Sequence, residues 1–580
     1  MALNNSRSAN LKSAALAAFG LSLSSSAIAS AYAVQIQSNA LLAKAWIERL
    51  NSESKRFEKQ KPEVPRKTNG ALEDARSSLA RMVCWSVKQK LSPADSLSER
   101  IKIELETLQK SGYWPTETPL AMAEWTASYS LGLTSLATTD QKKDCLPLAQ
   151  FLRNRLIPEL LTIWSKNGAW ESYDSNQRVA LASAYILAER TLGLYELSPK
   201  QRMPKVDDGG IANYIGNKGL VVEGYAYWRY ASSLLGLTIF TPNGMIPNTS
   251  SLAVQYIAPS GLCANFGDSA EGEEFFDLTT GQKSKQAILT TSIINNKINW
   301  ATPNEIQTRF INQMVNATGP WEEDRRFFAL AGLCTLDQNP SNDVPSFAKG
   351  SGWGNGEIAI WRTNAISPNS FIQIPNSYLA IRGMKAGLPH AQMDAGSFIF
   401  ETDKTRWICD PGKDDYDFPG YFSSQQDGQR WKNRFCSPQG HSTFWVEATK
   451  FKPEAVPQIL INSITNKVSF GSVFGLDQED MSRTFEFTKD SLILKDHFQP
   501  TASKLGWNLI TDCEILQTNQ MVKLIKGSKS LGIKTNIGTF TIEPFDSKEA
   551  GIVKRPDLKR IVLTMPPFTT DVRVVLSKLN

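Results

Sequence analysis

The sequence predicts an α+β multidomain protein in which a helical N-terminal part precedes an antiparallel β-sandwich. Its 580 residues are too many for one compact hydrophobic core, so at least two domains are expected. The spacing of the apolar residues changes from a helical period to a period of two near residue 340. Hydrophobic residues make up 41% and charged residues 21% of the chain, which is the usual balance of a soluble globular protein.

The N-terminal segment has the features of an export signal. Basic residues precede an apolar, Ser-rich stretch over 13–28, and the small-residue patterns Ala27-Ile28-Ala29 and Ala31-Tyr32-Ala33 follow it. A signal peptidase could cut after either pattern, and the stretch is short for a membrane span. We therefore predict a signal peptide over residues 1–33 and an exported protein, periplasmic or secreted; the alternative is a disordered Ala/Ser tail. Beyond residue 40 no apolar run is long enough to cross a bilayer, so no membrane span is expected.

Between residues 36 and 338 the apolar residues recur at helical spacing. Leu79, Met82, Val83 and Val87 show the pattern, and Gly, Pro and Asn separate such segments. Successive helices without intervening strands indicate stacked helical hairpins. Periodicity alone leaves open whether these form a bundle, a solenoid or a closed toroid.

After the Pro-, Ser- and Gly-rich stretch 339–354, apolar residues alternate with polar ones. Segments 357–361, 397–401 and 442–446 are examples, and Asn, Asp and Gly turns separate similar segments up to the C-terminus. Many short strands without a convincing helix predict a large antiparallel β-sandwich over residues 345–580.

Charge and cysteine usage argue against several classes of protein. The net charge of +6 is spread along the chain without a Lys/Arg block, so no nucleic-acid partner is expected. The mild positive balance is compatible with an acidic polymer as substrate, and equally with an ordinary basic surface. The seven cysteines form no CxxC spacing, which argues against a zinc ribbon or a redox motif.

The chain contains three histidines, at positions 390, 441 and 497. His390 and His441 each follow polar, turn-forming residues and open a predicted strand, where a scaffold can direct a side chain towards a ligand. A single histidine at a strand edge is more often structural, and we interpret His497 in that way. His390 and His441 are therefore the histidines considered for chemistry.

Four sequence segments together resemble the heparinase II/III-type polysaccharide lyases. They are Glu223–Tyr230, Cys263–Asp268, His390–Tyr416 and Arg430–Thr443. In the family, the third segment is a His-x-His-x-Asp-x-x-Ser-Phe turn followed by a hairpin that ends in Asp-x-Gly. The resemblance implies an N-terminal (α/α) toroid, a heparinase II/III-like β-sandwich, and cleavage of an acidic, uronic-acid-containing polysaccharide.

Such a lyase removes the proton at C5 of a uronate and expels the sugar linked through O4. The reaction requires a neutralised carboxylate, a base near C5 and an acid near the leaving oxygen. The resemblance implies that Tyr227 is the general base and acid, with Tyr230 and Tyr225 as alternatives, and that His390 assists. A tyrosine with its ordinary pKa of about 10 needs a nearby cation or donor to stabilise the phenolate. The structural alternative for Tyr227 is an aromatic ring packed in the helical wall.

Polar residues that bind the substrate are expected near this tyrosine and histidine. The residues implied by the resemblance are Glu171, Asn176, Gln177, Glu223, Arg229, Asp394 and Arg434. A protonated glutamate or an amide can bind a carboxylate without adding a repulsive charge. A solvated loop is the alternative for the first three of these residues.

Some family members hold a structural zinc ion, and the resemblance places its ligands at Gln392, Asp410 and His441. Glutamine is a poor zinc ligand compared with imidazole or thiolate. The divalent metal is therefore expected to be absent, weakly bound, or replaced by hydrogen bonds among the same three side chains. Asp410-Pro411-Gly412 is also a good turn sequence, and the predicted reaction requires no cofactor.

Two other functions stay open at the level of the sequence. The first is a non-catalytic glycan-binding or polysaccharide-assembly protein that retains the lyase fold. Two observations favour it: the helical half contains no histidine, and Gln392 stands where the family pattern has a histidine. A hydrolase that uses Glu223 and Asp268 on a helical toroid is a weaker alternative.

Overall fold

The computed structural model of the chain divides into two compact units. The helical unit comprises residues 1–216, 229–250 and 285–344, and the β unit comprises residues 217–228, 251–284 and 345–580. The structure describes residues 27–67, 70–166, 176–203, 225–241, 258, 260, 262, 264–269, 319–322, 325–330, 350–353, 358–362, 377–388, 390–447, 451–461, 465–487, 491–499, 505–518, 521–546 and 551–579. Two stretches within the predicted helical range 36–338 thus group with the β unit.

The described part of the helical unit consists of α-helices joined by short turns. The α-helices are α1 Ala27–Glu58, α2 Ala71–Leu91, α3 Asp95–Gln109, α4 Pro119–Leu136, α5 Leu146–Phe151, α6 Ile157–Lys166, α7 Asn176–Leu194 and α8 Tyr225–Gly236. A π turn over Leu152–Leu156 connects α5 to α6, and 3-10 turns cover Asp140–Cys145 and Leu237–Phe240. The first residues of α8 group with the β unit.

Helix α4 forms the centre of the helical unit. It packs against α2 and α7, and every residue from Ala121 to Leu136 is buried. Apart from Glu124, its buried residues are apolar or have short polar side chains, which suits such a position. Gly132 permits close approach of its neighbours, since a Cβ there would lie 3.0 Å from a methyl group of Leu105 and 3.1 Å from the sulfur of Met82.

The described residues of the β unit form three antiparallel sheets. Its strands are β1 Gly350–Trp353, β2 Ile358–Arg362, β3 Tyr378–Arg382, β4 Phe398–Thr402, β5 Thr405–Ile408, β6 Phe444–Val446, β7 Gln458–Ile461, β8 Thr465–Ser469, β9 Met481–Phe487, β10 Ser491–Phe498, β11 Leu505–Thr511, β12 Glu514–Gln517, β13 Val522–Lys526, β14 Lys529–Thr535, β15 Thr539–Pro544, β16 Lys559–Thr564 and β17 Asp571–Leu579. The strand orders are β1-β2-β3-β4-β5, β12-β13-β14-β17-β10-β9-β8-β7 and β15-β16-β11-β6.

The period of two predicted from the sequence is visible in β10. Leu492, Leu494 and Phe498 are buried in the core, whereas Lys495 and His497 point to the other face and are exposed. Apolar residues that alternate in this way cover one face of a sheet. The predicted antiparallel β-sheet structure after residue 345 is thereby confirmed.

A buried ion pair joins β9 and β10 to the loops that precede β4 and β6. Arg483 donates from Nε and Nη2 to the two oxygens of Asp496, at 2.7 and 2.8 Å. Its Nη1 also donates to the carbonyl oxygens of Gly396 and Ser442, at 3.0 and 2.7 Å. Trp507 Nε1 donates to Asp496 as well, at 2.6 Å. This arginine therefore fixes the chain on either side of the segment 397–441.

None of the described helices is both long enough and apolar enough to cross a membrane. Of the predicted signal peptide, residues 1–26 lie outside the described part of the chain, and 27–33 form the start of α1. Cleavage after Ala33 stays a prediction.

Replacing Arg483 by methionine is expected to destabilise the β unit by about 3–5 kcal/mol, because Asp496 would keep a buried charge without its cation. Glu486→Gln, on the same two strands, is the matched control, since its exposed pair with Lys495 is worth less than about 1 kcal/mol. Denaturant midpoints of the two variants and the native chain measure the difference. Equal midpoints for the two variants would show that the buried ion pair contributes no more to stability than the exposed one.

Candidate catalytic site around His390

His390 lies in the turn before β4 and has an uncommon backbone conformation. Its φ is 59°, in the left-handed region that favours glycine. Such a conformation costs about 1–3 kcal/mol in a residue with a Cβ and persists only where the surroundings enforce it. Here the carbonyl oxygen of His390 accepts a hydrogen bond from the backbone N–H of Asp268 at 2.8 Å. The imidazole is 13% exposed, so it can meet both protein and ligand.

The carboxylate of Asp268 is the centre of the site and is completely buried. It accepts hydrogen bonds from Gln392 Nε2 at 3.0 Å, from the Tyr421 hydroxyl at 2.7 Å and from Arg430 Nη2 at 2.8 Å. Its other oxygen lies 3.1 Å from Nδ1 of His390. Four side chains from two segments, 390–392 and 421–430, thus meet at one carboxylate.

The charges around Asp268 determine the proton positions. Burial disfavours the ionised carboxyl, but the Arg430 charge and the hydrogen bonds from His390 and Tyr421 outweigh it, and the pKa of Asp268 is lowered. Burial and the Asp268 charge raise the pKa of Tyr421, so its hydroxyl stays protonated and donates. An ionised Asp268 can only accept, so Nδ1 of His390 carries the proton. In the neutral ring the basic lone pair is then on Nε2.

Arg430 holds the two loops that surround Asp268. Its Nε and Nη2 donate to the carbonyl oxygen of Ala391, at 3.2 and 2.8 Å, and its Nη1 donates to the carbonyl oxygen of Tyr421 at 3.0 Å. The guanidinium also lies over the Tyr421 ring, 4.5 Å from its centroid. A planar group with several fixed donors is suited to such a role.

Tyr227, on α8, stacks on His390. The ring centroids are 3.8 Å apart and the planes differ by 14°, so the two rings lie face to face. The Tyr416 hydroxyl lies 3.4 Å from Nδ1 of His390. The structure therefore brings together the tyrosine and the histidine that were predicted to act in catalysis.

Further aromatic rings surround this pair. Phe422 is 62% exposed, and its ring centroid lies 6.2 Å from that of His390 and 5.0 Å from that of Tyr416. Lys413 Nζ lies 4.5 Å from the centroid of the Tyr416 ring. Exposed aromatic faces beside a cation are suited to an anionic sugar ring.

Tyr230 lies in the helical unit in a different environment. Its hydroxyl donates to Glu124 at 2.9 Å, and Arg326 Nη2 donates to the same carboxylate oxygen at 3.0 Å. Burial and the Glu124 charge raise the pKa of Tyr230 well above its usual value. This environment favours a protonated hydroxyl and argues against Tyr230 as a phenolate base.

The other predicted residues of the helical half are described only in part. Asn176 begins α7 and is buried, and Gln177 is half-buried beside it. Glu171 and Glu223 lie outside the described residues, as do the side chains of Arg229 and Tyr225. Their proposed contacts with substrate stay predictions.

Asp394 and Arg434 each interact with another charged side chain of the protein. Asp394 is completely buried and lies 3.3 Å from Nε of Arg382. Burial raises the pKa of Asp394 despite this cation. Burial and the positive charge of Arg434 lower the pKa of Arg560 to about 10. Contact of either residue with substrate stays a prediction, and the geometry favours a structural role for Asp394.

The predicted metal ligands Gln392, Asp410 and His441 are each held by hydrogen bonds of the protein. Asp410 uses one oxygen to accept from the backbone N–H of Gly412 at 3.0 Å, and the other lies 2.9 Å from Nδ1 of His441. Gln392 donates its amide to Asp268 and to the carbonyl oxygen of Gly412, at 3.0 and 3.1 Å. Among the described residues no group of three or more His, Cys, Asp or Glu could hold a metal ion. Glutamine is a poor zinc ligand, but Gln392 Oε1 is buried without a hydrogen-bond partner in the described part of the chain, so the expectation of an absent or weakly bound metal stays a prediction.

Three central residues were missing from the predicted site, namely Asp268, Tyr421 and Arg430. Asp268 and Arg430 are 162 positions apart in sequence, so no local spacing links them. Asp268 did enter the hydrolase alternative, but a completely buried carboxylate paired with Arg430 has no open face for a glycosidic bond. The sequence signal that was available is the presence of both residues in the segments that resemble the lyase family.

Replacing Asp268 by asparagine is expected to destabilise the chain by about 3–5 kcal/mol, because the Arg430 charge would stay buried without a counter-ion. Asp571→Asn is the matched control, since Asp571 also meets a histidine Nδ1, that of His497, but on the surface. The control should cost less than about 1 kcal/mol. Denaturant unfolding of the full chain measures both. Similar losses in the two variants would contradict the central role of Asp268.

The lowered pKa of Asp268 also predicts how its contribution varies with pH. The stability that the ionised carboxylate supplies is present above the unfolded-state pKa of about 3.9, and is lost as the pH falls through the lower folded-state pKa. The gap in unfolding free energy between the native chain and Asp268→Asn should therefore be constant near neutral pH and narrow in acid. Denaturant titrations across this range measure it, and a gap that widens in acid would contradict the assignment.

Comparison with known proteins bears on the fold. The chain matches no protein-family model and no curated protein. Its structure is similar to that of heparinase III, with a TM-score of 0.53 and 11% identity over 88% of this chain and 80% of that chain. It is also similar to a mutant of heparan sulfate lyase HepC from Pedobacter heparinus, with a TM-score of 0.50 and 11% identity over 95% of this chain and 90% of that chain.

These similarities establish the fold of the chain. It has the architecture of heparinase-type polysaccharide lyases, a helical toroid followed by an antiparallel β-sandwich. The fold class predicted from the sequence, and the resemblance that pointed to it, are confirmed at this level. At 11% identity the similarity is one of fold, and it transfers no catalytic residue or substrate.

Proposed function

We propose that the chain is a polysaccharide lyase that cleaves a uronic-acid-containing polysaccharide by β-elimination. The observation that carries the proposal is the face-to-face stack of Tyr227 on His390, with Nδ1 of that histidine held by the buried Asp268. The similar solved structures named heparinase III and heparan sulfate lyase support an acidic polysaccharide as the substrate class. Export to the periplasm or the exterior belongs to the same proposal and is supported by the N-terminal sequence.

The proposed reaction moves one proton from the substrate to the enzyme and then from the enzyme to the leaving group. Tyr227 as phenolate takes the proton from C5 of the uronate. The electrons left at C5 form a double bond to C4 as the C4–O4 bond breaks. The Tyr227 hydroxyl then returns the proton to the departing oxygen, so the enzyme ends in its starting state. Side chains alone supply these groups, and the proposal includes no cofactor.

His390 has the position required to assist Tyr227. A phenolate needs a nearby positive charge, and the His390 ring, whose centroid lies 3.8 Å from that of the Tyr227 ring, supplies one when both of its nitrogens carry a proton. The Asp268 carboxylate accepts from Nδ1 in either form of the ring and keeps it in one orientation. The left-handed backbone conformation of His390 also holds the ring in the orientation that the stack with Tyr227 requires.

The test is the appearance of the ultraviolet absorbance of an unsaturated uronate. The full chain is mixed with heparan sulfate, hyaluronan, chondroitin, alginate and bacterial exopolysaccharides. Tyr227→Phe and His390→Ala should each lower kcat at least about 100-fold on the polymer that is cleaved, because an acid–base group is lost. His497→Ala is the control, since it makes the same change at an exposed histidine of β10.

No absorbance on any of these polymers would overturn the proposal. The non-catalytic alternative is favoured by the absence of histidine from residues 1–340 and by Gln392 at a position where the family has histidine. Binding of an acidic glycan that survives Tyr227→Phe, without turnover by the native chain, would establish that alternative.

A further inference from the structure

Lys413 is a cation of the site around His390 that no carboxylate of the described residues neutralises. Its side chain is half-buried, and Nζ lies 4.5 Å from the centroid of the Tyr416 ring. Arg430 of the same site, in contrast, donates to the Asp268 carboxylate at 2.8 Å. Lysine is positively charged at neutral pH, so the ammonium group of Lys413 is available to an anionic ligand.

The aspartates that follow Lys413 in the chain are not its partners. Asp414 is buried, and Asn433 Nδ2 donates to its carboxylate at 2.6 Å. Asp415 and Asp417 are exposed, and Asp415 Oδ1 accepts from the backbone N–H of Asp417 at 3.0 Å. None of the three carboxylates forms an ion pair with Lys413, and solvent and salt screen the two exposed ones.

The backbone on both sides of Lys413 is fixed by hydrogen bonds. Before it, Gln392 Nε2 donates to the carbonyl oxygen of Gly412 at 3.1 Å. After it, Asp414 Oδ1 accepts from the backbone N–H of Val553 at 2.7 Å. A bound ligand therefore has to order only the side chain of the lysine, which keeps the entropic cost of binding low.

Phe422 supplies an accessible aromatic face beside the ring that Lys413 contacts. Its side chain is 62% exposed, and its ring centroid lies 5.0 Å from that of Tyr416. The residue before it, Tyr421, is buried, and the N–H of Ser423 after it donates to the carbonyl oxygen of Gly420 at 2.9 Å. The Phe422 ring can pack on the C–H face of a sugar while Lys413 binds a negative group of that sugar.

We propose that Lys413 makes the site prefer acidic sugars, by binding the carboxylate or sulfate of the sugar that lies against Tyr416 and Phe422. The inference rests on the proposed function, which identifies the ligand as a polysaccharide. Lys413 takes no part in the proton transfers. A carboxylate or sulfate oxygen forms a charge-assisted hydrogen bond with the ammonium group, whereas the hydroxyl of a neutral sugar forms a weaker one.

The test measures binding by calorimetry to the full chain carrying Tyr227→Phe, which removes the proposed base. The probes are a heparan sulfate tetrasaccharide, the same sugar after desulfation and N-acetylation, and that product after reduction of its carboxyl groups. Lys413→Gln should weaken the binding of an acidic form about tenfold and leave the binding of the neutral form unchanged. A loss already seen with the desulfated form assigns the carboxylate to Lys413, and a loss confined to the sulfated form assigns the sulfate.

Two further variants separate charge from structure. Lys413→Arg keeps the positive charge and should retain most of the affinity for the acidic forms. Lys432→Gln makes the same change at an exposed lysine of the 3-10 turn Gln429–Lys432, and should leave the affinity unchanged. Equal denaturant midpoints for Lys413→Gln and its parent would exclude unfolding as the cause of weaker binding.

Several results would overturn the inference. They are no binding of either acidic form, equal affinity in Lys413→Gln and its parent, an equal loss for the neutral form, and an equal loss in Lys432→Gln. The outcome is separate from that of the lyase assay, because binding to the Tyr227→Phe chain requires no turnover. A native chain without turnover but with Lys413-dependent binding would overturn the lyase and leave this inference standing.

Discussion

The organisation of the candidate catalytic site depends on one buried negative charge, that of Asp268. A carboxylate without solvent is tolerated only when cations and donors surround it, and here Arg430 and three further side chains do so. Each partner is thereby fixed in turn. Arg430 holds the backbone at Ala391, and the His390 imidazole is left with one defined tautomer. The stack of Tyr227 on that imidazole is therefore positioned indirectly by Asp268.

The two residues of the proposed catalytic pair could be named from the sequence, whereas the residues that hold them in place could not. Tyr227 and His390 were named because each lies in a segment that resembles the lyase family, and the structure brings their rings into contact. The link to Asp268 could not be read from spacing, since His390 and Asp268 are 122 positions apart. Gln392 was expected to bind a metal weakly or to form hydrogen bonds in its place, and the structure adds that its amide donates to Asp268. A residue type indicates which interactions are available, and only the folded chain selects the partner.

The sequence by itself determined that a helical part comes first and a part made of β-strands second. Hydrophobic periods of 3.6 and of 2 residues are local properties of the chain, so they can be counted without the structure. The alternation in β10 is one example. The tertiary structure alone decided which distant polar groups meet, such as Asp268 with Arg430 and with His390. Burial decides those pairings, because a charge or a donor removed from water needs a hydrogen-bond partner. Only the groups that the packed chain brings within about 3 Å can be that partner.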